Sequence, residues 1–175
     1  EEERRALFLA PRPLRGEWPE SPSPCDELGA DVKDPMRVAP GFHSVAEEKT
    51  PAILTACREA FDKDPSSARY RVQHARALYL NREDAEAEKL LKADGGTRYP
   101  YGIYLRGVIA MRDPARSVEA RAFLEEASGL GVAAADYRLW TLLQSGSDAD
   151  KEAAGKYLRQ GGERGNPPAE ELLAT

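Results

Sequence analysis

A self-similarity of about 34 residues per copy, the length of one helical hairpin, runs through the second half of this chain and limits what it can fold into more than any other feature. Leu90, Leu124 and Leu158 are evenly spaced at this interval, as are Ala93, Ala127 and Gly161, with Gly131 and Gly165 following. Such a repeat marks a helical hairpin that cannot bury its apolar face alone and stacks on copies of itself. The central unit, residues 99–131, shows the two helices. Tyr104, Leu105, Val108 and Ile109 recur at helical spacing. Asp113 and Pro114 end that run and offer an N-cap with Pro at N1. Val118, Ala122 and Ala127 begin a second face, which Gly129 and Gly131 stop.

Extending this reading to the whole chain gives an all-α fold, an α-solenoid of antiparallel helical hairpins behind an irregular N-terminal arm. Residues 1–24 form a Pro-rich arm or linker, although Leu7, Phe8, Leu9, Leu14 and Trp18 leave open that it docks. Residues 25–65 form an irregular segment, broken by Pro35, Pro40 and Gly41, followed by a capping helix. Thr50 is its expected N-cap with Pro51 at N1, and Ile53, Leu54, Cys57, Ala60 and Phe61 share one face. The repeats occupy residues 66–175. The first (66–98) opens with Ser66 as cap and carries Ala68, Val72, Ala75 and Tyr79, then Ala87, Leu90 and Leu91. The second is 99–131. The third (132–165) runs through Leu139, Trp140, Leu142 and Leu143 and returns through Ala153, Tyr157 and Leu158. A partial fourth (166–175) starts with Asn166 as N-cap and Pro167 at N1. No segment alternates long enough to demand a strand.

A formal net charge of −5 and a pI near 5.2 argue against nucleic-acid binding, which needs a basic face. No apolar run approaches the roughly 20 residues that span a bilayer, so this segment is not expected to insert in a membrane. A start at Glu1 reads as a processed product or a fragment.

Catalytic chemistry finds little support. The two histidines, His43 and His74, have no ligand partner at metal-site spacing, so neither metal nor other cofactor is expected. Cys57 with His74 lacks the third residue that would orient a base. Gly129, Gly131 and Ala134 spell G-x-G-x-x-A, but a helix precedes them where a dinucleotide site needs a strand. Glu125 and Glu126 read as a solvated helix face. An interaction role remains, with another protein or peptide bound on the concave face that the first helices of stacked hairpins line. Arg69, Gln73, Tyr101 and Arg138 are the candidate binding residues, because Arg and Tyr combine contact area with polar tips. Tyr104 and Tyr137 fit the core between repeats better than the groove.

The period and the residue choices together resemble the Sel1-like repeat, a relative of the tetratricopeptide repeat, over roughly residues 66–174. Pro100, Tyr104 and Gly107, then Ala135, Tyr137 and Leu139, then Pro167, Pro168, Ala169 and Leu172 fall where first helices of that family carry A-x-Y-x-L-G. Ala120, Phe123 and Ala127, and Ala154, Tyr157 and Gly161, match its second helices. Trp140 stands where the family usually has Gly, and the family's loop between helices is missing. Pro24, Cys25 and Asp26, the run Arg37 to Pro40, and Ala56, Cys57 and Glu59 are similar to the lead-in of bacterial secreted members. The resemblance implies a bacterial, periplasmic or otherwise extracytoplasmic scaffold; the alternative is cytoplasmic. It also admits a cell-wall or β-lactam-binding relative, although such relatives carry a disulfide in each repeat; a further alternative, favoured by the start at Glu1 and the Pro-rich residues 1–24, is a regulatory or sensory appendage of a larger envelope protein or enzyme. In an oxidising location the only two cysteines, Cys25 and Cys57, are expected to pair, tying the irregular segment to the capping helix; two buried thiols in a cytosolic protein are the alternative.

Overall fold

The computed structural model describes residues 22–93 and 99–174, so the arm expected over residues 1–24 lies almost wholly outside the described residues. Among the described residues the fold is all-helical. The α-helices are α1 Pro24–Gly29, α2 Thr50–Lys63, α3 Ala68–Leu80, α4 Asp84–Lys92, α5 Pro100–Ala110, α6 Ser117–Gly129, α7 Ala133–Leu143, α8 Asp148–Glu163 and α9 Pro167–Leu173. Single 3-10 turns at Glu47–Lys49 and Pro114–Arg116 lead into α2 and α6. The one β-type pairing described is an isolated bridge between Asp31 and Phe42. Consecutive helices pack on each other, α1 through α4 in one series and α6 through α9 in another. The chain divides into two compact units, Glu1–Gly102 and Ile103–Thr175, with the division inside α5.

Local chemistry explains most helix boundaries. Ser23 and Asp26, and Ser147 and Asp150, form reciprocal capping boxes that open α1 and α8. Asn166 accepts from the Ala169 amide with Pro167 in the first turn of α9, as the sequence suggested. Three helices end alike. The amides of Arg82, Gly131 and Gly165 bond back to Tyr79, Ser128 and Gly162, and the next amides reach Leu78, Ala127 and Gly161. That pairing is the Schellman closure, which needs a left-handed residue at its pivot. Gly131 and Gly165 take it at φ 88° and 73°, and Arg82 takes it at φ 66° despite its Cβ.

Several boundaries differ from the sequence reading. The segment expected to be irregular from Cys25 contains α1, because Ser23, Pro24 and Asp26 supply a complete helix start. Thr50 is the first residue of α2, since the preceding 3-10 turn leaves Lys49 at the cap without a side-chain bond. Ser67, not Ser66, caps α3 by accepting from the Tyr70 amide. Asp113 caps the 3-10 turn before α6. Val118 is 83% exposed and Ala122 is exposed, whereas Ala120, Leu124 and Ala127 are fully buried. The larger Leu124 decides that rotation of α6, because it seats against Gly107 of α5, where an added Cβ would come within 2.8 Å of Leu124 Cγ.

Burial refines the period. Val72, Leu105 and Leu139 are all at most 2% exposed; the first step between them falls one position short of the leucine spacing, and the second matches it. Ala87, Ala120 and Ala154 repeat the same offsets on the second helices. The step from Val72 to Leu105 is therefore one residue shorter than the spacing through Leu90 suggests, and Leu90 is only half-buried. Tyr104 is buried as expected, and Tyr137 is half-buried.

Replacing Arg82 with Gly removes the left-handed penalty at an exposed position. The Arg82→Gly variant should unfold at higher temperature, by about 0.5–1 kcal/mol at equal denaturant slope. Urea melts of the two proteins measure it.

Candidate functional site

The candidate site lies within the first unit, where residues 25–42 lie across α3 and the start of α5. Arg69, Gln73 and Arg76 stand at i, i+4 and i+7 on α3 and so share one stripe. Gln73 and Arg76 are buried, and Arg69 is about a third exposed. A buried polar stripe demands partners; Asp26 and Asp31 supply them, and a third buried carboxylate, Asp34, lies close by on the same segment.

Asp26, 1% exposed, accepts from the Ser23 amide and hydroxyl and from Gln73 Nε2 at 3.1 Å. Arg69 approaches it with Nη2 at 3.4 Å; its Nε is 3.1 Å away but makes no aligned hydrogen bond. Asp31 is the centre. Its Oδ2 accepts from Arg76 Nε at 3.0 Å and from the Tyr101 hydroxyl at 2.8 Å, and its Oδ1 accepts from the Lys33 amide and ammonium. Arg76 also donates to the Gly29 carbonyl at 3.0 Å. Asp34 accepts from the Met36 amide at 2.8 Å and the Tyr99 hydroxyl at 2.9 Å. Arg37 donates to the carbonyls of Val32, Asp34 and Pro40, and Phe42 closes the loop by donating to the Ala30 carbonyl.

Asp31 and Asp34 are shifted in opposite directions. Burial alone would raise Asp31, but the charges of Arg76 and Lys33, with hydrogen bonds from the Lys33 amide and Tyr101, hold it below the usual carboxylate range. Burial pushes Asp34 up to about 6, against the hydrogen bonds from Met36 and Tyr99 and with Asp31 adding repulsion. Tyr99 is raised by burial and by the Asp34 charge, so its proton stays in place.

Cys25 and Cys57 form a disulfide, both sulfurs fully buried, tying α1 to α2. The bond removes the Cys57 thiol from any nucleophilic role with His74. Ile53 and Ala77 share its core, with Val45, Leu54, Ala60 and Tyr70 around it. Gln73 Oε1 rests 2.9 Å from Cys25 Sγ, a contact without a proton because a disulfide sulfur carries none.

Of the residues singled out from the sequence, Arg69, Gln73 and Tyr101 are thus brought together, on the chain's own acidic segment. Arg138 is in the second unit, half-buried on α7; on the same helix the Tyr137 and Trp140 rings lie tilted 5.4 Å apart. Sequence reasoning missed Arg76, Tyr99, Asp26, Asp31 and Asp34. The available signal was the polar stripe Arg69, Gln73 and Arg76, two of whose members fall among the helix's apolar positions Val72, Ala75, Ala77 and Leu78. His74, buried against Phe61, is lowered by burial. Among the described residues no three His, Cys, Asp or Glu side chains converge as metal ligands, and no helix is long and apolar enough to cross a membrane. No family model, curated protein or solved structure matches the chain.

Two measurements check this geometry. Protein made in an oxidising compartment should take up no alkylating groups when unfolded without reductant and two after reduction. The Cys25→Ser, Cys57→Ser variant should lose about 3–4 kcal/mol, the chain-entropy value for a loop of this length. The second concerns pH. Because the folded pKa of Asp34 lies above its unfolded value of 3.8, its contribution is fully present below about pH 4 and lost as pH rises through about 6. Asp34→Asn removes that loss. The stability of the variant relative to wild type should therefore increase between pH 4 and pH 7, by on the order of 2–3 kcal/mol, as read from urea melts at each pH.

Proposed function

We propose that this chain is a non-catalytic helical-repeat scaffold of the Sel1-like type that binds another protein or peptide. Its contacts come from the first helices of its hairpins, and it works outside the cytoplasm of a bacterium. The observation that carries the reading is the way the first unit holds residues 25–42. Arg69, Gln73, Arg76, Tyr99 and Tyr101 hold a largely irregular polypeptide by its carboxylates and a carbonyl, which is the chemistry of peptide recognition. Each carboxylate of the cluster is engaged by donors within the unit, which suits anchoring rather than proton transfer.

Burial that recurs at equivalent positions, Val72, Leu105 and Leu139 on first helices and Ala87, Ala120 and Ala154 on second helices, supports stacked hairpins. The disulfide supports an oxidising location. In the second unit, Arg138 with Tyr137 and Trp140 offers the residue types that dominate protein interfaces.

The test is capture from a bacterial envelope extract on the immobilised chain. Wild type should retain a discrete polypeptide. Arg138→Ala should bind it roughly thirtyfold more weakly, the consequence of losing an Arg worth about 2 kcal/mol at a hot spot, with helical circular dichroism unchanged. A wild-type column that retains nothing overturns the scaffold reading.

A further inference from the structure

Apart from Cys25, which shares the apolar core of Ile53, Cys57 and Ala77, the segment of residues 22–44 is packed the opposite way from an ordinary piece of core. Its buried groups are charged or small: Asp26, Asp31 and Asp34 with Cys25, Gly29, Ala30 and Ala39. Its large apolar side chains, Leu28, Met36 and Phe42, are about 40% exposed. Buried ion pairs gain little net free energy over solvation, whereas apolar burial supplies most of it. The segment is also held together internally, by Asp31 and Asp34 bonding to amides two residues on, by Arg37 gathering three carbonyls, and by the Ala30–Phe42 closure. One covalent bond, Cys25–Cys57, ties it to the helices.

From this arrangement we infer that Arg69, Gln73, Arg76, Tyr99 and Tyr101 form a face that recognises acidic peptides, and that residues 22–44 are its detachable intramolecular occupant, locked in place by the Cys25–Cys57 disulfide. The occupant itself defines the partner chemistry. Two aspartates three residues apart, with a third five residues upstream, meet two guanidinium groups, an amide and two phenols. A partner of this class is a peptide rich in Asp or Glu, able to take a turned conformation, and poor in bulky apolar groups at the contact.

Unlocking is a two-electron step. A dithiol gives two electrons and two protons to the S–S bond, Cys25 and Cys57 become thiols, and the dithiol closes to its own disulfide. Both sulfurs are fully buried, so the dithiol reaches them only through transient local openings around α1 while the bond is still intact, and reduction is slow. Once reduced, the segment exchanges on and off its face while α2, α3 and α4 keep their apolar packing. A competing acidic peptide then meets an occupant of high effective concentration but weak affinity.

This deepens the scaffold reading and rests on it, but it concerns the first unit alone. Its failure with capture through Arg138 intact would leave the scaffold standing.

The experiment uses the full chain with Cys25→Ser, which leaves Cys57 as the single thiol. The probe is a synthetic peptide of residues 22–44 whose own cysteine is activated as a thiopyridyl disulfide, alongside the same peptide with Asp26, Asp31 and Asp34 changed to Asn. In buffer, with helical circular dichroism unchanged, the acidic peptide should join Cys57 at least ten times faster than the Asn peptide. Equal rates overturn recognition through the carboxylates. Reaction only at urea concentrations that melt the helices overturns detachability. If Cys25→Ser does not fold, hydrogen exchange on wild type with and without a dithiol decides the matter. The Val32, Met36 and Phe42 amides should lose at least tenfold protection on reduction while α3 keeps its own. Loss in both together, or in neither, overturns the inference.

Discussion

A carboxylate buried against a guanidinium, Asp31 against Arg76, is the contact on which the first unit depends. Arg76 lies on α3 one turn beyond Val72, on the stripe that faces inward, and only 4% of it is exposed. A guanidinium in that position cannot be left unpaired, because its desolvation is uncompensated. The segment before α2 must therefore deliver both a carboxylate and a carbonyl, and Asp31 and Gly29 do so. Removing one partner would strand the other at a cost of about 3–5 kcal/mol, while apolar side chains of equal volume would pack without loss. The pair thus adds placement more than stability. A segment with no regular period of its own has no repeating apolar face to set its position, and the ionic contact sets it instead.

The second unit uses the same device with the charges reversed. Asp136 on α7 is fully buried, and it accepts from Ser128 on α6, from Gln160 on α8 at 2.8 Å and from Arg164 just beyond α8 at 3.0 Å. Burial raises its pKa against those bonds. By the offsets that relate Leu139 to Leu105 and Leu105 to Val72, position 136 falls in step with Gly102 and Arg69. One register thus holds a cation, a glycine and an anion. At Gly102 an added Cβ would meet Val72 at 2.9 Å, so the middle copy uses the position for close helix approach. Val72, Leu105 and Leu139 stay apolar and buried, while this neighbouring position takes whichever chemistry its own surroundings require.

What could be read from the sequence follows from which forces are periodic. Helix existence, the turn at Gly131, the start at Asn166 and the burial of Leu105 and Leu139 follow from spacing, capping and glycine geometry, all of them local. The rotation of α6 was not legible. Val118 with Ala122 and Ala120 with Leu124 both fit helical spacing, and the choice rests on the glycine across from Leu124. The acidic segment was hidden for a different reason. Its order comes from single polar contacts between residues more than forty positions apart, such as Asp31 with Arg76 and Asp26 with Gln73, and no window on the sequence contains both partners. The capping box that opens α1 was visible in Ser23 and Asp26, but six residues are too few to show a period.

The disulfide connects these two regimes. Cys57 sits on the buried face of α2, next to Ile53, where periodicity alone places an apolar residue. Cys25 sits on a helix of six residues, too short to hold its place by helical packing. Joining them leaves little room, since a Cβ on Gly29 would come within 2.7 Å of Cys57 Sγ. Gly29 is therefore needed for close approach, and because it is the last residue of α1 its carbonyl is left for Arg76. Sulfur, glycine and guanidinium thus occupy one small volume in which each excludes a larger neighbour. The apolar core ends there, and the polar anchoring of the acidic segment begins.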